Sequence, residues 1–240
     1  MAIQNRLIDY KDGDVVLEGM LAWDDALPDP RPGVLVSHAW GGRGDFEDGK
    51  VNELAGLGYA AFALDLYGKG VRGTGPEENA ALMQPFLDDR TMLQNRLLVS
   101  LDAMRAQEQV DAARVAAIGF CFGGLCVLDI ARTGADLAGV VSFHGLFGAP
   151  GNTAGNKARA RVLALHGWDD PMARPDDAVA LAKELTAMDA DWQIHAYGNT
   201  MHAFTNPDAN DKQMGTVYDA TADRRSWTAM QNFLEELFNG

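Results

Sequence analysis

The chain has 240 residues, of which 47% are apolar and 22% charged, with a formal net charge of -14. That is the composition of a globular protein, not of a disordered one, and the length suits one α/β domain with an interior to bury. The acidity, with no cluster of Lys or Arg, argues against nucleic acid and an anionic membrane surface as partners.

No run approaches the roughly 18 apolar residues of a membrane span, and Met1 to Tyr10 lacks a basic start followed by an apolar core. The two cysteines, Cys121 and Cys126, lie too close together to staple a fold. A reduced compartment, the cytoplasm, is the expectation.

β-rich runs alternate with helical patterns along nearly the whole chain, the signature of βαβ units and a mostly parallel sheet with helices on both faces. The expectation is one α/β domain over residues 1–240. Val15 to Leu21 alternates and reads as an edge strand. Val34 to Val36, Ala60 to Leu64, Val115 to Gly119, Val140 to Phe143 and Val162 to Leu165 are continuous apolar runs, as strands covered on both faces are. Trp192 to Tyr197 reads as the last strand. Leu93, Leu97, Leu98, Leu101 and Met104 share a helical face, as do Trp227, Met230, Phe233, Leu234 and Leu237. Leu27 to Gly33, Tyr67 to Asn79, Gly145 to Asn156 and Thr200 to Gly215 are rich in turn formers and read as loops. Three of them follow strands, where the ligand crevice of an open parallel sheet lies. There is no internal repeat.

Gly119-Phe120-Cys121-Phe122-Gly123-Gly124 sits between the strand Val115 to Gly119 and the helical run Leu125 to Arg132. This is a nucleophile elbow, G-x-S-x-G, with Cys for Ser. The glycines allow a turn too sharp for side chains, and a thiolate at a helix N-terminus is stabilised by the helix dipole and its amides. Cys126, among Leu125, Val127 and Leu128, reads instead as core.

With Gly58 to Ala61 leading to Asp65-Leu66-Tyr67, Gly167 to Pro171, and Tyr197 to Phe204, the elbow gives a chain that resembles the dienelactone hydrolase family from about Gly33 to His202. The resemblance implies an α/β-hydrolase fold, a Cys-His-Asp triad, a small ester or lactone as substrate, and no cofactor. In this fold the acid and then the His follow the nucleophile. His195 lies inside a strand, whereas His202 lies in the loop beyond it. Asp169 and Asp170 both follow the strand Val162 to Leu165, and the family pattern Gly-x-x-Asp selects Asp170. An oxyanion hole is expected from the backbone N–H of Phe122 and of Trp40, with Ala39 the next candidate.

Two departures put the substrate in question. The family's Glu in the loop after Val34 to Val36 falls on Ala39 here, and its substrate-holding Arg falls on Asn206. Arg72 and Arg90 are possible replacements, and His38 and His144, at strand ends, are possible substrate contacts. His38, His144 and His166 lack metal-ligand spacing, so no metal site is expected. A rival of another class is a non-catalytic or redox-responsive binder using Cys121 as a sensor thiol. A complete Cys, Asp and His set favours the enzyme.

Overall fold

The computed structural model describes residues 2–240. The fold is α/β, a mostly parallel sheet with helices, and the chain divides into two compact units, residues 1–117 and 118–240.

In the first unit, β1 (Ile3–Asp12) and β2 (Val15–Asp24) form an antiparallel hairpin that pairs from Ile3↔Asp24 to Asp12↔Val15. The other side of β2 pairs with β4 (Ala60–Ala63), which runs parallel to β3 (Arg31–Ser37). The run beginning at Val15 is therefore an inner strand, and β1 lies outside it. β1 carries few large apolar residues and is nowhere fully buried, so it is held by hydrogen bonds to β2 more than by a hydrophobic stripe. β3 and β4 bury Val34, Leu35, Val36 and Phe62 almost completely. The crossover between them is α1 (Asp45–Gly56).

α2 (Pro76–Asp88) takes the last residues expected in the loop from Tyr67 to Asn79, because Pro76 at the first helical position is pre-set for a helix. β3 likewise takes Arg31 to Gly33 from the loop expected there. α3 (Arg90–Arg105) is capped by Asp89, which accepts from the Met92 N–H at 2.9 Å. It buries Leu93, Leu97, Leu101 and Met104, with Leu98 half-buried at the margin of that face.

β5 (Val110–Phe120) carries the chain from one unit into the next. In the second unit β6 (Gly139–Phe143), β7 (Arg161–Gly167) and β8 (Trp192–Tyr197) pair in parallel. α4 (Phe122–Arg132) is buried all round, which suits its nearly unbroken apolar sequence. Its one cation, Arg132, pairs with Asp129 at 3.2 Å and with Glu184 of α5 (Pro175–Ala187) at 2.7 Å. α6 (Ala220–Asn239) buries Met230, Phe233 and Leu234. The segment from Thr200 to Gly215 carries a two-residue strand, β9 (Asn210–Asp211), paired with β10 (Thr216–Val217) just beyond it. Among the described residues no helix is long and apolar enough to cross a membrane.

Candidate active site

Cys121 lies between β5 and α4 with φ 55 and ψ -115, a conformation that L residues seldom adopt and that only a tightly packed turn maintains. The turn is tight enough that a Cβ on Gly119 would fall 2.0 Å from the carbonyl oxygen of Gly123. Cys121 is half-buried, and its carbonyl accepts from the Gly124 N–H at 2.9 Å. Phe122 opens α4, and the first N–H groups of a helix point out of its end. Cys126 is buried within the helix.

Asp170, on the loop after β7, is 2% exposed, and its two carboxylate oxygens do different work. Oδ1 accepts from the N–H groups of Met172 at 2.7 Å and Ala173 at 3.2 Å, so the carboxylate is locked to its own turn. Oδ2 accepts from His202 Nδ1 at 2.7 Å. Asp169 is exposed beside it.

His202 is 1% exposed, on the loop after β8, and β10 pins its backbone. The His202 N–H donates to Gly215 at 2.9 Å, and the Val217 N–H donates to the His202 carbonyl at 3.0 Å. Burial opposes a charge on this ring. The negative charge of Cys121 and the bond to Asp170 outweigh it and push the pKa up to about 10. Nε2 has no partner at ordinary hydrogen-bond geometry, although the Cys121 side chain is near enough to act on the ring both by its charge and as a hydrogen-bond partner. The other candidate, His195, stands half-buried in β8 opposite Leu165. Cys121, Asp170 and His202 all belong to the second unit.

The remaining histidines are held by other contacts. His38 is fully buried. Its Nε2 accepts from the Leu66 N–H at 3.2 Å, so the proton is on Nδ1, which donates to the Ala39 carbonyl at 2.6 Å. Burial pushes its pKa down to about 4. His144 is equally enclosed, with one nitrogen on the Cys121 N–H at 3.1 Å and the other on Thr205 Oγ1 at 2.8 Å. His166 has no hydrogen-bond partner at either ring nitrogen and packs against Phe147, and burial lowers its pKa. Among the described residues no three His, Cys, Asp or Glu side chains gather as a metal ion would need.

In the first unit, the Ala39 N–H donates to Glu47 Oε1 at 3.1 Å and is committed there, whereas the Trp40 carbonyl accepts from the Tyr67 hydroxyl at 2.9 Å. Glu47 escaped the sequence reading. It stands on α1, and its other oxygen accepts from the Gly44 N–H at 3.0 Å, half of a capping box. The spacing Gly44-x-x-Glu47 before a helix was the available signal. Burial pushes its pKa up to about 7 against the pull of the two N–H groups. Arg72 is exposed and its Nε donates to the Arg43 carbonyl, and Arg90 is half-buried as the first residue of α3. Asn206 is turned onto its own loop, with Oδ1 accepting from the Asp208 N–H at 3.0 Å.

A half-buried cysteine on a strand-to-helix elbow, with a buried His-Asp pair on the loops after later strands, is the arrangement of an α/β-hydrolase. Residues 17–238 match the model of the dienelactone hydrolase family, and the chain belongs to that family of hydrolases. It is similar to a dienelactone hydrolase-like promiscuous phosphotriesterase from metagenomic libraries, at 40% identity and TM-score 0.93, over 99% of this chain and 100% of that one. An uncharacterized protein of Caenorhabditis elegans is 35% identical over 63% of this chain and 98% of its own length. The acylaminoacyl peptidase of Pyrococcus horikoshii, 14% identical with TM-score 0.73 over 99% of this chain and 42% of that one, shares the fold alone.

Proposed function

We propose that this protein hydrolyses a small carboxylic ester or lactone, with Cys121 as nucleophile, His202 as acid and base, and Asp170 as the residue that orients His202. The observation that carries this is the buried 2.7 Å bond from His202 Nδ1 to an Asp170 carboxylate that its own turn already immobilises. That bond fixes the tautomer and turns Nε2 away from Asp170, toward the electrostatic influence of Cys121.

The chemistry follows from the charges. The thiolate sulfur of Cys121 attacks the carbonyl carbon while the imidazolium of His202 balances it. Phe122 N–H donates to the developing oxyanion. Trp40 N–H is the second donor that the family resemblance suggests, a reading helped by the commitment of Ala39 N–H to Glu47. Collapse breaks the bond to the leaving oxygen, which takes the Nε2 proton, and leaves a thioester on Cys121. That thioester carries no charge, so His202 loses its strongest reason to stay protonated. Now neutral, the ring accepts a proton from water, which attacks the thioester and releases the acid. One electrostatic coupling thus makes the same residue an acid in the first half and a base in the second.

Ala39 and Asn206 stand where the family carries Glu and Arg, which argues for an uncharged substrate. Small p-nitrophenyl esters, a neutral butenolide and dienelactone test the reading. Turnover that vanishes in Cys121→Ala supports it. No turnover of any ester or lactone would instead favour a binder with a sensor thiol. The relative named as a promiscuous phosphotriesterase makes a neutral phosphotriester the second substrate class to assay.

A further inference from the structure

We propose, resting on the Cys121, His202 and Asp170 reading above, that His144 is a positioning residue for the nucleophile and base. One ring nitrogen holds the backbone amide of Cys121, the other holds the loop that carries His202, and the ring packs edge-on against the His202 imidazole.

His144 follows β6 with φ 37, and its N–H donates to Leu165 at 2.8 Å. The next residue, Gly145, lies so close to α4 that a Cβ on Gly124 would come 2.6 Å from its Cα. The end of β6 is thus pressed against the first turn of the elbow helix, and the His144 side chain, 2% exposed, has no room to be elsewhere.

Its hydrogen bonds set its tautomer. Nδ1 accepts from the Cys121 N–H at 3.1 Å, which also donates to the Phe143 carbonyl at 3.0 Å. A nitrogen that accepts carries no proton, so the proton is on Nε2, which donates to Thr205 Oγ1 at 2.8 Å. Thr205 is itself 2% exposed and lies on the same loop as His202. The ring centroids of His144 and His202 are 5.1 Å apart at 66°, and those of His144 and Phe204 are 5.0 Å apart at 81°. One imidazole therefore ties the elbow after β5 to the loop after β8.

The groups that face it from the packed elements are Phe120 and Cys121 on the elbow, and His202, Phe204 and Thr205 on the loop. Of these only His202 and Cys121 titrate. A proton on Nδ1 would break the bond to Cys121 and set a second positive charge beside His202. Burial and the His202 charge accordingly hold the His144 pKa well below the ordinary value. A buried neutral ring at this point lets His202 carry the only cationic imidazole of the pair.

The test uses His144→Phe, which keeps an aromatic ring without either bond, and His144→Asn, which restores an acceptor near the Nδ1 position. Thr205→Val removes only the Nε2 partner. A reactive group displaced by about 1 Å loses on the order of 10²-fold in rate. In His144→Phe, kcat on a p-nitrophenyl ester is expected to fall about that far with little change in KM. His144→Asn should recover roughly tenfold of the loss, and Thr205→Val should lose about 2- to 10-fold, the range of one neutral hydrogen bond. Alkylation of Cys121 by iodoacetamide across pH reads the thiol and imidazole pair without turnover. Its pH profile should differ from that of wild type in His144→Phe. Circular dichroism certifies the fold, and Thr205→Val carries the test if His144→Phe does not fold. The proposal is overturned if a folded His144→Phe keeps kcat within twofold and the wild-type alkylation profile, or if His144→Asn is no better. If His144→Phe does not fold, a Thr205→Val that is unchanged in both overturns it. Turnover that survives Cys121→Ala would instead sink the triad reading, and the alkylation profile would still decide the role of His144.

Discussion

Asp170→Asn is the sharpest perturbation of the site. An amide has one oxygen to accept and one nitrogen that only donates, whereas Asp170 accepts on both sides, from His202 at 2.7 Å and from Met172 and Ala173 at 2.7 and 3.2 Å. Either orientation of the Asn sets its NH2 against a donor. If the turn keeps the oxygen, as its two N–H groups favour, the Asn NH2 faces Nδ1, which must then accept, so the ring is held neutral with its proton on Nε2 and can neither balance the Cys121 thiolate as an imidazolium nor take the proton of the attacking water. Both partners are almost wholly buried, with side-chain exposures of 1% and 0%. Losing the carboxylate that holds a catalytic His in its working tautomer costs up to roughly 10⁴-fold in kcat, and a loss of about 10²- to 10⁴-fold is expected here. Stopped-flow release of p-nitrophenol measures the acylation burst and the steady state together. Asp169→Asn, on an exposed side chain, should stay within about threefold of wild type, as surface substitutions do. A Asp170→Asn enzyme within tenfold of wild type, or an Asp169→Asn enzyme that is the more damaged, would refute the reasoning.

Cys121→Ala and His202→Ala should each remove on the order of 10⁴-fold or more of ester turnover while leaving the far-ultraviolet circular dichroism unchanged. More than about a tenth of wild-type activity in either would displace the assignment. Asn206 offers no charge to an anionic substrate, so kcat/KM for a neutral butenolide should at least equal that for dienelactone, and a clear preference for dienelactone, lost in Arg72→Ala or Arg90→Ala, would name a substitute cation. Stability should fall with acid. His38 and His144 have depressed pKa values, so below about pH 6.5 the unfolded chain takes up protons that the fold refuses, and stability present above that pH is lost as pH falls. Glu47 acts in the opposite sense: its raised pKa gives stability at low pH that is lost as pH rises through about 7, offsetting one histidine between pH 4.5 and 6.5. Glu47→Gln should therefore steepen the fall in urea-derived unfolding free energy by about 1.4 kcal/mol per pH unit in that window. An unchanged slope would contradict the assignment of a buried, protonating Glu47.

How much was legible depended on how local the physics is. The elbow was readable because its constraint is local: a strand, a turn too tight for side chains and a helix fit within a few residues, and Gly119 to Gly124 spell them out. The buried strands were readable because apolar runs have one explanation in a mostly parallel sheet. β1 was not, since its hydrogen bonds to β2 leave no mark in hydropathy, and so the strand from Val15 was put at an edge that belongs to Ile3 to Asp12.

The sequence by itself determined the α/β class and the elbow with Cys121, put His202 and not His195 in the loop beyond the last strand, and left Asp169 beside Asp170 until the family pattern selected Asp170. Only the tertiary structure decided how those groups meet, because loops from different strands converge in space without any rule of sequence spacing. It set His202 against Asp170 and not Asp169, and gave the N–H of Ala39 to Glu47 on a helix that the motif reading passed over. It also wedged His144 between the Cys121 amide and Thr205. A histidine at a strand end looks the same in sequence whether it lines a crevice or braces an elbow. What separates the two is burial and the partners at each nitrogen, and these exist only once the chain has folded.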